Sequence, residues 1–260
     1  MSRLRKQIFF PDAAFEPYLQ TATPELPFVV RPVSDSDELL RIAEVRLAAY
    51  RIDLKNDLSV LSEAIDVEDY AENALVLAAF DKKSDDVLGT MRIAFSSRGP
   101  TTMQSVAGLP NEWNARDYGE ARLLCVPKHE HSRMILLMLC KAFYLACRQQ
   151  SIDHMLIGSR RAMEPFYEFL CFSDIADNPL FFTPPTHDMP HRIMSLRVDN
   201  LQHIWQNASE RDLLSQMFFK QRHFDIQLGG AALQNPLSEM SAPKLAGETL
   251  RVSEMVVLVR

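Results

Sequence analysis

The sequence predicts an α/β fold, a central mixed and twisted sheet with helices on both faces. Short β-rich runs recur at 28–32, 74–80, 87–95, 119–127, 154–158 and 191–198, and helical periodicity fills much of what lies between. Between Gly119 and Phe172 an apolar strand passes through a polar loop into a strongly apolar helix, then into another short strand. No internal repeat is visible.

Residues 1–27 carry Pro11, Pro17, Pro24 and Pro27 without periodicity, which predicts an extended arm. Phe28 to Pro32 is the first strand. Ser34 to Asp37 offers helix N-caps, and Leu39, Leu40, Ala43, Leu47 and Tyr50 recur at helical spacing behind them. Ala74–Phe80 and Val87–Phe95 read as two strands joined by the charged turn Asp81–Asp86, and 96–118 as loop around Gly99-Pro100 and Gly108-Leu109-Pro110. Gly119 to Pro127 is the next strand, Lys128 to Ser132 a polar loop, and Arg133 to Arg148 a helix. Arg133, Lys141 and Arg148 fall on one narrow stripe of that helix, so burial of most of its other positions is expected. A strand follows at His154–Gly158, then an aromatic segment from Phe166 to Phe172. The proline-rich stretch 177–190 around Phe181-Phe182 reads as a loop over the site. A strand at His191–Val198, a helix at 201–220 and a strand-like Met255–Val259 complete the chain. The expected division is an arm at 1–27, a main domain at 28–198, and a helix and tail at 199–260 packed on it.

A net charge of −6 excludes a global electrostatic attraction to nucleic acid. With 47% apolar residues the chain can build a sizeable core. Cys125, Cys140, Cys147 and Cys171 show no C-x-x-C spacing, which predicts buried free thiols in a reducing compartment and no metal site. The N-terminus lacks the ~7–15 residue apolar core of a secretory signal. The longest apolar run, Met134–Cys147, is broken by Lys141 and falls short of the ~20 residues a membrane span needs. A cytoplasmic location without a transmembrane segment is expected.

Several charged residues stand where apolar neighbours predict burial. Arg92 lies mid-strand, on the face opposite Met91 and Ile93. Glu120 and Arg122 share one face of the next strand. Arg46 sits on a helix, four positions before Tyr50, and Asp66 and Asp69 lie three apart in a polar turn. Unpaired burial of charge is costly, so Arg46, Asp66, Asp69, Arg92, Glu120 and Arg122 are expected to form one network. The alternative is a set of ordinary surface pairs.

In order and spacing, Arg46-x-x-x-Tyr50, Asp66-x-x-Asp69, Gly89-Thr90-Met91-Arg92 and Glu120-x-Arg122 resemble the bacterial N-acyl amino acid synthases. These are relatives of the acyl-homoserine lactone synthases with the GNAT acyltransferase fold. The likeness spans about 28–198, and Phe166-Tyr167 with Leu170-Cys171-Phe172 is similar to the ending of GNAT domains. The resemblance implies transfer of a long-chain fatty acyl group from an acyl thioester to the amino group of an amino acid or similar small amine. Tyr167 would be the acid for the leaving thiol, Glu120 the base, and a backbone N–H at or near Val126 the oxyanion donor. Cys125, Val126, His131, Ser132 and Arg133 would hold the donor's pantetheine and phosphate. Lys128–Arg133 contains no glycine, where GNAT enzymes carry a glycine-bearing loop for the coenzyme A pyrophosphate. That departure fits a donor with one phosphate, the acyl-phosphopantetheine of acyl carrier protein, with acyl-CoA as the other option and no tightly bound cofactor. Two further departures are Glu120-x-Arg122 in place of Glu-x-x-Arg, and Cys171 in place of glycine.

Lys128, Arg133, Arg148, Arg160 and Arg161 are the candidate docking surface for acidic acyl carrier protein. Phe80, Phe95, Leu124, Val126, Phe143 and the Phe181-Phe182 loop are the candidate acyl pocket. Each assignment has a plainer counterpart: Tyr167 as a core aromatic, Glu120 as an arginine partner, His129 and His131 as solvated loop residues. The competing functions are an acetyl-CoA-dependent GNAT acetyltransferase, a homoserine lactone synthase using S-adenosylmethionine, and an inactive GNAT-like module binding lipid or a partner.

Overall fold

The structure is a computed structural model, and it describes residues 18, 20–53, 65–107, 109–175, 191–206, 215–230, 233–240 and 257–258. Strand β1 (Phe28–Pro32) leads into helix α1 (Ser36–Asp53), whose first turn is capped by Asp35 Oδ1 accepting from the Glu38 amide at 2.8 Å. β2 (Ala74–Asp81), β3 (Val87–Phe95) and β4 (Tyr118–Val126) follow, then α2 (Ser132–Gln149) and β5 (His154–Arg160). The remaining elements are α3 (Glu164–Phe169), β6 (Ser173–Asp174), β7 (His191–Arg197), α4 (Val198–Gln206) and β8 (Val257–Leu258). They form one mixed sheet of order β1-β2-β3-β4-β5-β7-β6, with β8 paired separately to β4. The β4–β5 pair is parallel and enclosed by antiparallel neighbours.

Strand alternation divides the core. Leu75, Leu77, Met91, Ile93, Ala121, Leu124 and Val126 pack with α2, α3 and the start of α4 on one face. Val76, Ala78 and Phe80 pack with Leu39 and Ile42 of α1 on the other. Leu40, read from the sequence as part of α1's apolar face, is exposed. Beyond β4, Met103, Leu109, Trp113, Tyr118 and Leu156 make a smaller cluster under the loop that precedes that strand.

The close approach of α2 to β4 depends on Gly119. A Cβ there would lie 2.8 Å from Cys147 Sγ and 3.0 Å from Phe143 Cε2. Gly119→Val is therefore expected to lower folding stability by about 1–3 kcal/mol through overpacking, read by denaturant titration.

The sequence stripe Arg133–Lys141–Arg148 needs correction at its centre. Arg133 and Arg148 are exposed, but Lys141 is buried because the chain after α4 returns over it. Lys141 Nζ donates to Met217 O, to Gln221 O at 3.0 Å, and lies 2.8 Å from His223 Nδ1. Of the expected helix at 201–220, α4 covers the start through Gln206 and Gln216–Lys220 is π-helical, while 207–214 lie outside the described residues. From there Asp225–Gln227 pairs with Val30 at the edge of β1, and Asn235 Nδ2 donates to Asp69 O and Ala71 O at 2.8 and 2.9 Å.

Burial lowers Lys141 to about 7, and burial together with the Lys141 charge lowers His223 to about 3. In each case the unfolded chain binds a proton that the native chain has lost. Stability is thus expected to rise with pH through the His223 window and again from about pH 7 to about 10 through Lys141. Urea titrations of wild type and Lys141→Met test this; the upper rise should be lost in the variant.

Candidate active site

β4 is interrupted on both of its edges. Toward β3, Arg92 opposes Arg122 and Thr90 opposes Cys125, so β4 carries one extra residue across from Met91. The surplus is absorbed at Leu123, which sits at φ +52° in the left-handed region. A bulky residue held there stores strain of order 1–3 kcal/mol. Toward β5 the pairing runs only from Tyr118↔His154 to Ala121↔Ile157, although β5 continues to Arg160 along β7. On that side, among the described residues, β4 pairs again at Cys125↔Val257 and Val126↔Leu258, with β8. Residues 122–124 face a wedge-shaped parting between two central strands. The parting thus begins right after Ala121, ahead of Val126, where the sequence resemblance placed the oxyanion donor.

On the α1 side of this parting lies a buried charged network. Arg46 holds Asp69 with two contacts, Nη1–Oδ2 at 2.6 Å and Nη2–Oδ1 at 3.1 Å. Arg92 lies 2.9 Å from Asp66, 2.5 Å from Glu68 and 3.6 Å from Asp69. Arg122 Nη1 is 3.5 Å from Glu120 Oε1, and the Met103 amide donates to Glu120 Oε2 at 2.9 Å. Arg46, Arg92 and Glu120 are each at most 1% exposed. The three-residue spacing of the aspartates has a local cause. Asp66 caps the turn Val67–Tyr70 by accepting from the Glu68 amide, and Asp69 reaches back to accept from the Asp66 amide. One capping box thus aims two carboxylates at two arginines. Burial acts to raise Asp66, but the Arg92 charge and the Glu68 amide outweigh it and hold the group below the usual carboxylate range. Burial lowers Arg122, with Glu120 opposing.

Sequence reasoning missed Glu68, which also accepts from Thr102 Oγ1 at 2.8 Å, and Asn235, which braces the Asp69 turn from the far end of the chain. Glu68 was legible as the third acid of its turn; Asn235 offered no signal. The side chain of Tyr50 lies outside the described residues. Beside the network opens a cavity of about 390 Å³, walled by Glu68, Glu72, Asn73, Arg92, Thr101 and Thr102.

The other expected site residues are distributed around this centre. Tyr167 is buried on the opposite, α2 side of the sheet, its ring 5.3 Å from Phe166 and 5.7 Å from Phe172. Burial raises its phenol well above the usual range. Cys125 and Val126 are buried in β4. His131 precedes α2 without a side-chain cap, Ser132 Oγ turns back to Pro127 O at 2.8 Å, and Arg133 is exposed beside them. The candidate acyl pocket does not converge. Phe95, Leu124, Val126 and Phe143 share the α2-side core, whereas Phe80 lies on the α1 side with the Arg31 guanidinium 3.9 Å above it. Phe181 and Phe182 lie outside the described residues. The basic set divides too. Lys128, Arg133, Arg160 and Arg161 gather where β4 and β5 end and α2 begins, but Arg148 is at α2's other end, roughly 22 Å away at about 1.5 Å per residue. Among the described residues no cluster of His, Cys, Asp and Glu is placed to hold a metal, and no helix is long and apolar enough to cross a membrane.

No family model and no curated protein sequence matches the chain. Among solved structures it is similar to an N-acyl amino acid synthase from uncultured soil microbes, at 18% identity and a TM-score of 0.56, over 73% of this chain and 97% of that one. It is also similar to a CoA-dependent acyl-homoserine lactone synthase, solved with SAM and isopentyl-CoA, at 15% identity and a TM-score of 0.47, over 73% of this chain and 97% of that one. A GNAT-family acetyltransferase from Staphylococcus aureus aligns at 15% identity and a TM-score of 0.47, over 66% of this chain and 99% of that one. With its mixed sheet, bulged β4 and parted β4–β5 pair, the chain has the GNAT N-acyltransferase fold.

Proposed function

We propose that this chain is an N-acyltransferase that moves a long-chain fatty acyl group from a pantetheine thioester to the amino group of an amino acid or similar small amine. The observation that carries the reading is the parting of β4 from β5 beside the Leu123 bulge, with a largely buried acid–arginine network on one side. Backbone N–H and C=O groups along such a parting need partners. A pantetheine arm, with two amides in an extended chain, supplies them as a strand would. The uncapped start of α2 is oriented to receive its phosphate. The glycine-free loop Lys128–Ser132 fits one phosphate, and so the carrier-protein arm in preference to coenzyme A.

The cavity beside Glu68 takes the acceptor. Asp66, Glu68, Asp69 and Glu120 outnumber Arg46, Arg92 and Arg122 by one charge, while Glu72 and Arg98 of the cavity wall offset each other, so a net negative charge of one faces an incoming ammonium. The ammonium first gives one proton to solvent, and the neutral amine nitrogen then attacks the thioester carbonyl. Amides between Leu123 and Val126 donate to the oxyanion. The amine proton passes to Glu120 through water, since that carboxylate is buried under Met103. As the C–S bond breaks, the leaving sulfur takes a proton from Tyr167 across the sheet; burial keeps the phenol protonated up to that point, and because a thiolate is the weaker base the phenolate then recovers a proton from solvent.

Incubating the protein with acyl carrier protein or coenzyme A bearing mixed acyl chains and an amino acid pool is expected to give an N-acyl product by mass spectrometry. The carrier-protein donor should be preferred. Absence of any N-acyl product from every mixture would overturn the reading.

A further inference from the structure

The edge of β4 that β5 leaves is not empty. β8 lies along it in parallel register, Val257 beside Cys125 and Leu258 beside Val126. Two strands cannot occupy one edge of a third, so whatever pairs with Cys125 and Val126 must displace these two residues. The run Val256-Val257-Leu258-Val259 is rich in β-branched residues and free of glycine and proline, which suits an extended segment. Among the described residues its ladder is two residues long, shorter than an ordinary strand, which suits an exchangeable segment.

We propose that the segment around Val257–Leu258 is an internal competitor of the acyl donor: it closes the β4–β5 parting by strand addition and leaves when an acyl-pantetheine enters. This rests on the reading of the parting as the donor groove. The segment imitates the donor through its backbone, matching amides against the same β4 edge, so its effect is on donor binding and not on the acceptor cavity beside Glu68. Donor affinity then falls in proportion to the fraction of molecules whose groove is free. A segment docked in about nine molecules of ten raises the apparent Kd about tenfold.

The test compares the full chain, a form ending at Ser253, and Val257→Pro, which puts a residue that strands disfavour in the middle of the segment. Each is titrated calorimetrically with a thioether analogue of dodecanoyl-phosphopantetheine, and hydrogen exchange is followed at 124–126. The proposal expects both altered forms to bind the analogue about tenfold more tightly than the full chain. A peptide of residues 253–260 should restore the weaker binding to the shortened form. Equal affinity in all three forms would overturn the competitor while leaving the donor groove intact. Failure of every form to bind would instead overturn the groove, and hydrogen exchange would still report whether β8 protects β4. If the shortened form does not fold, Val257→Pro decides alone.

Discussion

Arg92→Met is expected to lower folding stability by about 3–5 kcal/mol, the range seen when one partner of a buried ion pair is removed. Arg92 is 1% exposed and faces three carboxylates, Asp66, Glu68 and Asp69, within 3.6 Å. A methionine fills much of the same volume but leaves Asp66 without its principal counter-charge. Asp69 keeps Arg46, so the loss falls mainly on the turn Val67–Tyr70 and the cavity wall built from it. Arg92→Lys should recover part of the loss, since one ammonium cannot span both Asp66 and Glu68 as a guanidinium does. The sign of the pH effect follows from Asp66. Its folded pKa is depressed, so its contribution is present above the unfolded value near 3.8 and is lost as pH falls through the lower folded value. Thermal or urea unfolding at neutral pH is the measurement. A change below about 1 kcal/mol would mean that the network behaves as exposed pairs do.

Tyr167→Phe is expected to reduce kcat about a hundredfold or more, the lower end of what a positioned acid contributes. Loss of one hydroxyl should change stability by only about 1 kcal/mol. The ring's packing against Phe166 and Phe172 is retained, so a fall in rate without a fall in stability separates chemistry from structure. Single-turnover release of thiol is the most direct readout, because the phenol's proposed proton goes to sulfur. Undiminished release would remove Tyr167 from the mechanism and leave it a core aromatic.

The sheet was legible because its strands carry alternating or uninterrupted apolar runs; β1 and β3 have the bounds the residues predict. Arg92 and Glu120 stood out for the same reason, as charges inside such runs. What escaped notice left no pattern. Leu123 reads as one more apolar strand residue, since a positive φ at leucine is imposed by its surroundings and not by its side chain. Lys141 looked like a solvated stripe because its cover comes from residues more than seventy positions later. Phe80 was grouped with Phe95 on composition, but the two side chains stand on opposite faces of the sheet.

β4 has one peptide unit more than its neighbour needs. Excising Leu123 would leave Arg122, Leu124, Cys125 and Val126 pointing as they do now, yet straighten the strand and let it zip onward along β5. Such a protein should be sturdier and have no doorway. What this strand must preserve is its count of residues more than their kind, so a single-codon deletion here would be costlier to the proposed chemistry than most substitutions.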